Sequence, residues 1–62
     1  MDIKNICRLS GKTITQVAQE LGTTRNNLSI IMRGNPTLST INRVAQALGI
    51  TPSQLVERLN QQ

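Results

Sequence analysis

The segment from Thr13 to Gly34 constrains the fold more than any other part of this chain. Thr13 and Gln16 have the three-residue spacing of a capping box, which predicts that a helix begins there. Gly22 suits the left-handed conformation in which many helices end, and Thr24 follows within two residues as the next capping residue. The segment therefore predicts two short helices joined by a tight glycine turn.

Apolar residues at helical spacing give each of these two helices one inward side. Val17, Ala18 and Leu21 form a narrow apolar stripe on the first of them. Leu28 and Ile31 form another stripe on the second, so we expect the opposite face of that helix to point away from the domain. This outward face carries Arg25, Asn26, Ser29, Ile30 and Arg33.

The flanking sequence predicts three more helices. Asp2 to Ser10 forms a first helix, which Gly11 ends and which turns an apolar face inward. After a turn at Pro36, Thr37 caps another helix, and Thr51 caps the last. We expect the core-facing residues of these helices to include Ile3, Ile6, Cys7, Leu38, Ile41, Val44, Ala45, Leu48, Ile50, Leu55 and Leu59, with Leu9 and Val56 partly exposed. The predicted fold is an all-α, compact single domain over residues 1–62, with five helices at about residues 2–10, 14–21, 25–33, 38–48 and 52–59.

The composition excludes several kinds of protein. A single Cys and no His provide neither a disulfide nor a zinc ligand set, so we expect no metal and no cofactor. The acidic residues are isolated, and the sequence has no nucleophile–base pair and no glycine-rich phosphate loop, so we expect no enzyme. The absence of aromatic residues excludes base recognition by aromatic stacking. The formal net charge of +4 favours a polyanionic partner.

No segment is typical of a membrane or exported protein. The longest apolar run, Ile30 to Met32, is far shorter than a bilayer span, and the amino-terminal residues do not form a signal peptide. We therefore expect a cytoplasmic protein with no membrane partner, and no small-molecule ligand is evident.

The register of the central segment matches a known DNA-binding motif. Counted from Ile14, apolar residues stand at the fourth, eighth, fifteenth and eighteenth positions, with Ala at the fifth and Gly at the ninth. This register resembles the helix-turn-helix of the lambda-repressor-like, Cro-type (XRE) DNA-binding family. Residues Gly34 to Glu57 are similar to the third-to-fifth-helix segment of that family. The resemblance implies a helix-turn-helix at the second and third helices, double-stranded DNA as the partner, and a prokaryotic or phage-like, nucleoid-associated protein.

The resemblance also implies that the third helix reads bases in the major groove. Arg25 and Asn26 lie in its first turn, where Arg suits guanine and Asn suits adenine. Ser29 lies one turn later and can contact a base or a phosphate. Ile30 can pack on a thymine methyl group, and the alternatives are that it belongs to the core or that it is a single apolar residue on the surface.

A larger set of residues is expected to contact the DNA backbone. The start of the second helix offers unpaired N–H groups, and the start of the fourth resembles the family segment that lies along the sugar–phosphate backbone. The alternative for each polar side chain is helix capping or solvation. The expected backbone set is Lys12, Thr13, Ile14, Thr15, Gln16, Thr24, Asn27, Arg33, Asn35, Thr37, Ser39 and Arg43.

Two features depart from the pattern of that family. Ile14 stands where members commonly have a Gln that hydrogen-bonds the DNA backbone, so neighbouring polar residues would have to supply this contact. Cys7 and Met32 stand where members often have an ion pair between the first and third helices. Because both charges are replaced together by apolar groups, we expect these two side chains to touch.

These observations favour a small transcriptional regulator that binds DNA sequence-specifically and represses by occupying a promoter. Most members of the family bind as dimers, which implies a homodimer with half-sites about 10 base pairs apart. The alternative is a protein-interaction module of the same fold, in which Ile30, Leu9 and Val56 meet another protein. A salt titration separates the two, because binding to DNA weakens steeply as salt rises.

Overall fold

The computed structural model describes residues 2–61, and within them the chain forms five α-helices and no strand. The helices are α1 (Ile3–Leu9), α2 (Ile14–Glu20), α3 (Arg25–Arg33), α4 (Leu38–Leu48) and α5 (Pro52–Asn60). The predicted all-α fold is confirmed, and no helix end differs from its expected position by more than one residue. In this described part of the chain, no helix has the length and hydropathy that crossing a membrane requires.

Polar side chains set the start of every helix. The Thr13 hydroxyl accepts a hydrogen bond from the Gln16 N–H at 3.1 Å, and the Thr13 N–H donates to Gln16 Oε1 at 3.0 Å. The predicted capping box is therefore present at α2, and Thr51 with Gln54 forms a second one at α5. The side chains that cap the other three helices belong to Asp2, Thr24 and Thr37.

The turn between α2 and α3 depends on Gly22. Its φ of 73° lies in the left-handed region, and a Cβ there would meet no atom within 4 Å, so the need for glycine is conformational rather than steric. The Thr23 N–H donates to the Ala18 carbonyl at 2.9 Å, and the Gly22 N–H donates to the Gln19 carbonyl at 3.1 Å. These two bonds form a Schellman motif, which ends α2 and leads the chain to Thr24, the cap of α3.

Each helix contributes one fully buried Ile, Val or Leu to the core: Ile6, Val17, Leu28, Val44 and Leu55. α1 packs against α2, α3 and α5, while α4 packs against α2 and α5. α2 consequently contacts α1, α3 and α4. This short helix therefore lies at the centre of the domain, in contact with three of the other four helices.

Leu38 departs from the predicted core. It is 72% exposed, although its spacing along α4 matches that of the buried residues. Side chains on a helix lean toward its amino terminus, so the side chain of this first helical residue extends past the packed part of the domain. Val44, further along α4, is fully buried. Leu9 and Val56 are exposed, as the sequence predicts.

Cys7 and Met32 belong to the same buried cluster, where α1 packs against α3. Burial raises the pKa of the Cys7 thiol, and the opposing effect of the Lys12 charge is smaller. The thiol is therefore protonated at neutral pH and packs as a small apolar group. Direct contact between the two side chains stays a prediction.

Candidate nucleic-acid interface

α3 presents the outward face that the sequence predicts. Leu28 is 1% exposed and points into the core, whereas Ile30 is 62% exposed. The polar candidates on this helix are exposed except for Ser29, which is half-buried: Arg25, Asn26, Ser29 and Arg33. This face can meet a ligand without any rearrangement of the core.

Beside this face lies a groove of about 300 Å³, where α1 and the starts of α2 and α3 come together. Three of its lining residues are basic, two of them from α1 and one from α3. The lining residues are Lys4, Arg8, Thr13, Ile14, Thr15 and Arg25. We call this feature the basic groove. Arg25 belongs to both the groove and the outward face of α3, so the two surfaces are continuous.

Sequence reasoning missed Lys4 and Arg8 as site residues. Their spacing of four residues places them on one face of α1, outside its buried side, and this spacing was the signal that could have found them. The sequence did not show that this face of α1 lies beside the start of α2. That proximity follows from the way α1 packs against α2 and α3.

The cations of the basic groove form no ion pair with any residue that the structure describes. Among residues 2–61, none of Lys4, Arg8 and Arg25 forms an ion pair or a side-chain hydrogen bond. No carboxylate side chain of the described residues lines the groove. The amino end of α2, which carries the positive end of its helix dipole, adds to this positive potential.

Several predicted backbone contacts are engaged in helix capping. The Thr13 and Thr24 hydroxyls accept hydrogen bonds from the N–H groups of Gln16 and Asn27. Asn27 Nδ2 also donates to the Thr23 hydroxyl at 2.7 Å. These side chains fix the starts of α2 and α3, and so determine where the neighbouring exposed groups stand.

The residues around the start of α4 form a separate polar region. The Thr37 hydroxyl accepts a hydrogen bond from the Thr40 N–H at 3.2 Å, and Ser39 is exposed. Arg33 and Asn35 are exposed and line a second, open groove of about 580 Å³ that extends to α5. The structure thus brings Arg33 and Asn35 together, but not with the basic groove.

Lys12 and Arg43 bind partners within the protein. Lys12 Nζ forms an ion pair with Glu20 at 3.0 Å and donates to the Ala47 carbonyl at 2.7 Å. Arg43 Nη2 donates to the Leu21 carbonyl at 3.2 Å. Both cations therefore bind at the carboxyl end of α2, on the C-cap or on the last helical residue. Ile14 turns its side chain inward, at 7% exposure, and offers only its backbone N–H.

The family assignment agrees with this architecture. The sequence profile of the Cro/C1-type HTH DNA-binding domain matches residues 2–61. The chain therefore belongs to this family of helix-turn-helix DNA-binding domains, with α2 and α3 as the two helices of the motif. The resemblance carried by the register of the central segment is confirmed. No curated protein and no solved structure matches the chain significantly.

Proposed function

We propose that this protein is a transcriptional regulator that binds double-stranded DNA sequence-specifically, with α3 in the major groove. The observation that carries the proposal is the outward face of α3, where Arg25 and Asn26 occupy the first turn and Ile30 is 62% exposed. The major groove admits one helix, and a recognition helix contacts base edges through its amino-terminal residues. Occupation of a promoter in this way represses transcription by excluding polymerase.

The side chains on this face suit different base contacts. Arg25 can donate two hydrogen bonds to guanine O6 and N7, and Asn26 can pair with adenine N6 and N7. Ile30 offers apolar surface to a thymine methyl group. Ser29, which is half-buried, can donate to a base or a phosphate.

Backbone contacts flank α3 in this proposal. Thr15 is exposed at the start of α2, and Gln16 can donate through Nε2 because its Oε1 accepts from the Thr13 N–H. Ile14 contributes its backbone N–H, which has no partner within the helix. The polar groups near the start of α4 that can donate to phosphates belong to Arg33, Asn35, Thr37 and Ser39.

Five residues expected to contact the DNA backbone are left out of this interface, and the first is Thr13, whose hydroxyl caps α2. Thr24 and Asn27 organise the start of α3 through hydrogen bonds within the protein. Lys12 and Arg43 bind carbonyl oxygens at Ala47 and Leu21. Lys12 Nζ already donates to both Glu20 carboxylate oxygens and to Ala47, so contact with phosphate would require it to give up one of these bonds. Arg43 is held at the carboxyl end of α2 by its bond to Leu21, away from the starts of α2 and α3.

A second candidate is a protein-interaction module of the same fold. The exposed apolar side chains of Ile30 and Leu38, at 62% and 72%, favour it, because both lie on helices of the proposed DNA-binding region. A salt titration distinguishes the two functions. An affinity that falls steeply with salt supports DNA binding through counterion release, whereas an apolar protein interface responds little.

The decisive experiment is selection of bound duplexes from a random oligonucleotide pool. Enrichment of one sequence supports the proposal, and a homodimer would produce half-sites about 10 base pairs apart or a multiple of that spacing. Recovery of no enriched sequence, together with weak salt dependence, would overturn it in favour of the protein-interaction function.

Ile30 and Leu9 provide a matched pair for testing the outward face of α3. Both are exposed aliphatic residues, at 62% and 63%, but Leu9 lies on α1 outside the proposed reading surface. Ile30→Ala should weaken binding to the selected site by roughly 1 kcal/mol, because a buried methyl contact with thymine is lost. Leu9→Ala should leave the affinity unchanged. Equal effects of the two substitutions would contradict the assignment of Ile30.

A further inference from the structure

We propose that α1 is a DNA-contacting element: Lys4 and Arg8, together with Arg25, hold one backbone phosphate in the basic groove. This inference rests on the proposed function and extends it to residues outside the helix-turn-helix. It adds Lys4 and Arg8 of α1 to the phosphate contacts that the sequence register implies at the start of α2.

The first observation is that cations from two different helices line the same groove. Lys4 and Arg8 stand one turn apart on α1, and Arg25 is the first residue of α3, yet all three line one groove of about 300 Å³. The groove exists only when α1, α2 and α3 are packed together, so it is a property of the folded domain. A phosphate held there contacts two helices at once.

The second observation is the placement of the acidic residues. The sequence has three of them, and none lines the basic groove. Asp2 caps α1 through a hydrogen bond from the Asn5 N–H at 3.0 Å, Glu20 pairs with Lys12, and Glu57 lies on α5. Three like charges thus share a small groove at the positive end of α2, and all three carboxylate side chains lie outside it. An anion bound in the groove removes this mutual repulsion.

The groups that line the basic groove also favour an anion over a base edge. Its polar side chains are cationic donors and threonine hydroxyls, with no carboxylate or side-chain amide to accept hydrogen bonds. Arg25 connects the groove to the reading face, so a phosphodiester is the anion that a DNA ligand brings to this position. The bound phosphate therefore lies next to the base pair that Arg25 contacts.

Ethylation interference on the selected duplex tests the proposal with the full chain. For the wild type, ethylation of one phosphate beside the base pair contacted by Arg25 should block binding. In Lys4→Gln and in Arg8→Gln, interference at that phosphate should weaken, while interference at phosphates contacted from α4 persists. Each substitution should also reduce the salt slope of binding by about 1, without changing the preferred sequence.

Arg58→Gln is the matched control, because it removes the same charge from α5, outside the basic groove. Helical circular dichroism and thermal unfolding verify that each variant folds. If Lys4→Gln and Arg8→Gln give the same interference pattern and salt slope as Arg58→Gln, the groove proposal is overturned while DNA reading by α3 stands. If the wild type binds no duplex selectively, both proposals are overturned together.

Amide chemical shifts of the wild-type chain give a readout that needs no variant. Addition of the selected duplex should shift the signals of Lys4, Arg8 and Thr15 as well as those of α3. Shifts confined to α3 and α4 would overturn a phosphate site on α1.

Discussion

The two ends of α2 hold nearby cations in opposite ways. At the carboxyl end, Lys12 Nζ binds the Glu20 carboxylate at 3.0 Å and the Ala47 carbonyl at 2.7 Å. Arg43 Nη2 binds the Leu21 carbonyl at the same end. At the amino end, the basic groove gathers three cations for which residues 2–61 provide no partner.

The helix dipole gives this difference a physical meaning. A cation near the carboxyl end of a helix is stabilised by the dipole, and a cation near the amino end is not. The cations at the carboxyl end therefore contribute to folding, whereas those at the amino end are compensated when an anion binds. Substitutions of the cations at the amino end should lower DNA affinity without lowering stability. Substitutions of the cations at the carboxyl end should lower stability without lowering DNA affinity.

Arg25→Ala should have the largest effect, because it removes a residue shared by the basic groove and the outward face of α3. We expect a loss of about 1–3 kcal/mol in binding to the selected site and relaxed preference at one base pair. Fluorescence anisotropy with the selected duplex and its single-base variants measures both. The melting temperature should not fall, because the substitution removes one of three like charges. A lower melting temperature with unchanged base preference would place Arg25 among the stabilising cations.

Gly22→Ala tests the turn that follows the carboxyl end of α2. Because Gly22 has a φ of 73°, an alanine there should lower the free energy of unfolding by about 1–2 kcal/mol. Asparagine adopts this conformation more readily, so Gly22→Asn should lose less. Urea unfolding measures both variants. Equal losses would show that the cost does not come from the left-handed backbone.

Lys12→Met should destabilise the fold by about 1 kcal/mol, since it removes both the ion pair and the hydrogen bond to Ala47. Glu20→Gln removes only the ion pair and should cost less, because the bond to Ala47 remains. Thermal unfolding at low and high salt separates the two contributions, since only the ion pair is screened. If both variants unfold like the wild type, the carboxyl end does not derive stability from Lys12.

Local sequence signals were sufficient for the helices and for the direction in which α3 faces. Thr13, Thr24 and Thr51 cap helices through bonds to residues three positions away, so these starts depend on adjacent sequence alone. Leu28 supplies the buried side of α3, which leaves Ile30 on the opposite face. The prediction that Leu38 lies in the core was wrong, because helical periodicity does not show whether a neighbouring helix covers the first turn of α4.

The environment of each cation could not be predicted in the same way. The sequence around a lysine or arginine near a helix end looks the same whether the partner of that side chain is a phosphate or a main-chain carbonyl. Lys12 reaches Ala47 across 35 positions and Arg43 reaches Leu21 across 22, so these partners depend on tertiary packing. The basic groove also depends on tertiary packing, because α1 must lie beside the starts of α2 and α3, and it could not be predicted from the sequence for the same reason.

Arg43→Ala should have the smallest effect and tests the comparison most directly. Its hydrogen bond to the Leu21 carbonyl is 3.2 Å long and exposed, so we expect a loss of about 0.5 kcal/mol in the free energy of unfolding. DNA affinity and its salt slope should match those of the wild type, because the guanidinium lies at the opposite end of α2 from the basic groove. Parallel urea unfolding and salt titration measure the two quantities. A salt slope reduced by about 1 would instead place Arg43 on a phosphate, as its sequence position suggests, and the two ends of α2 would then both serve DNA binding.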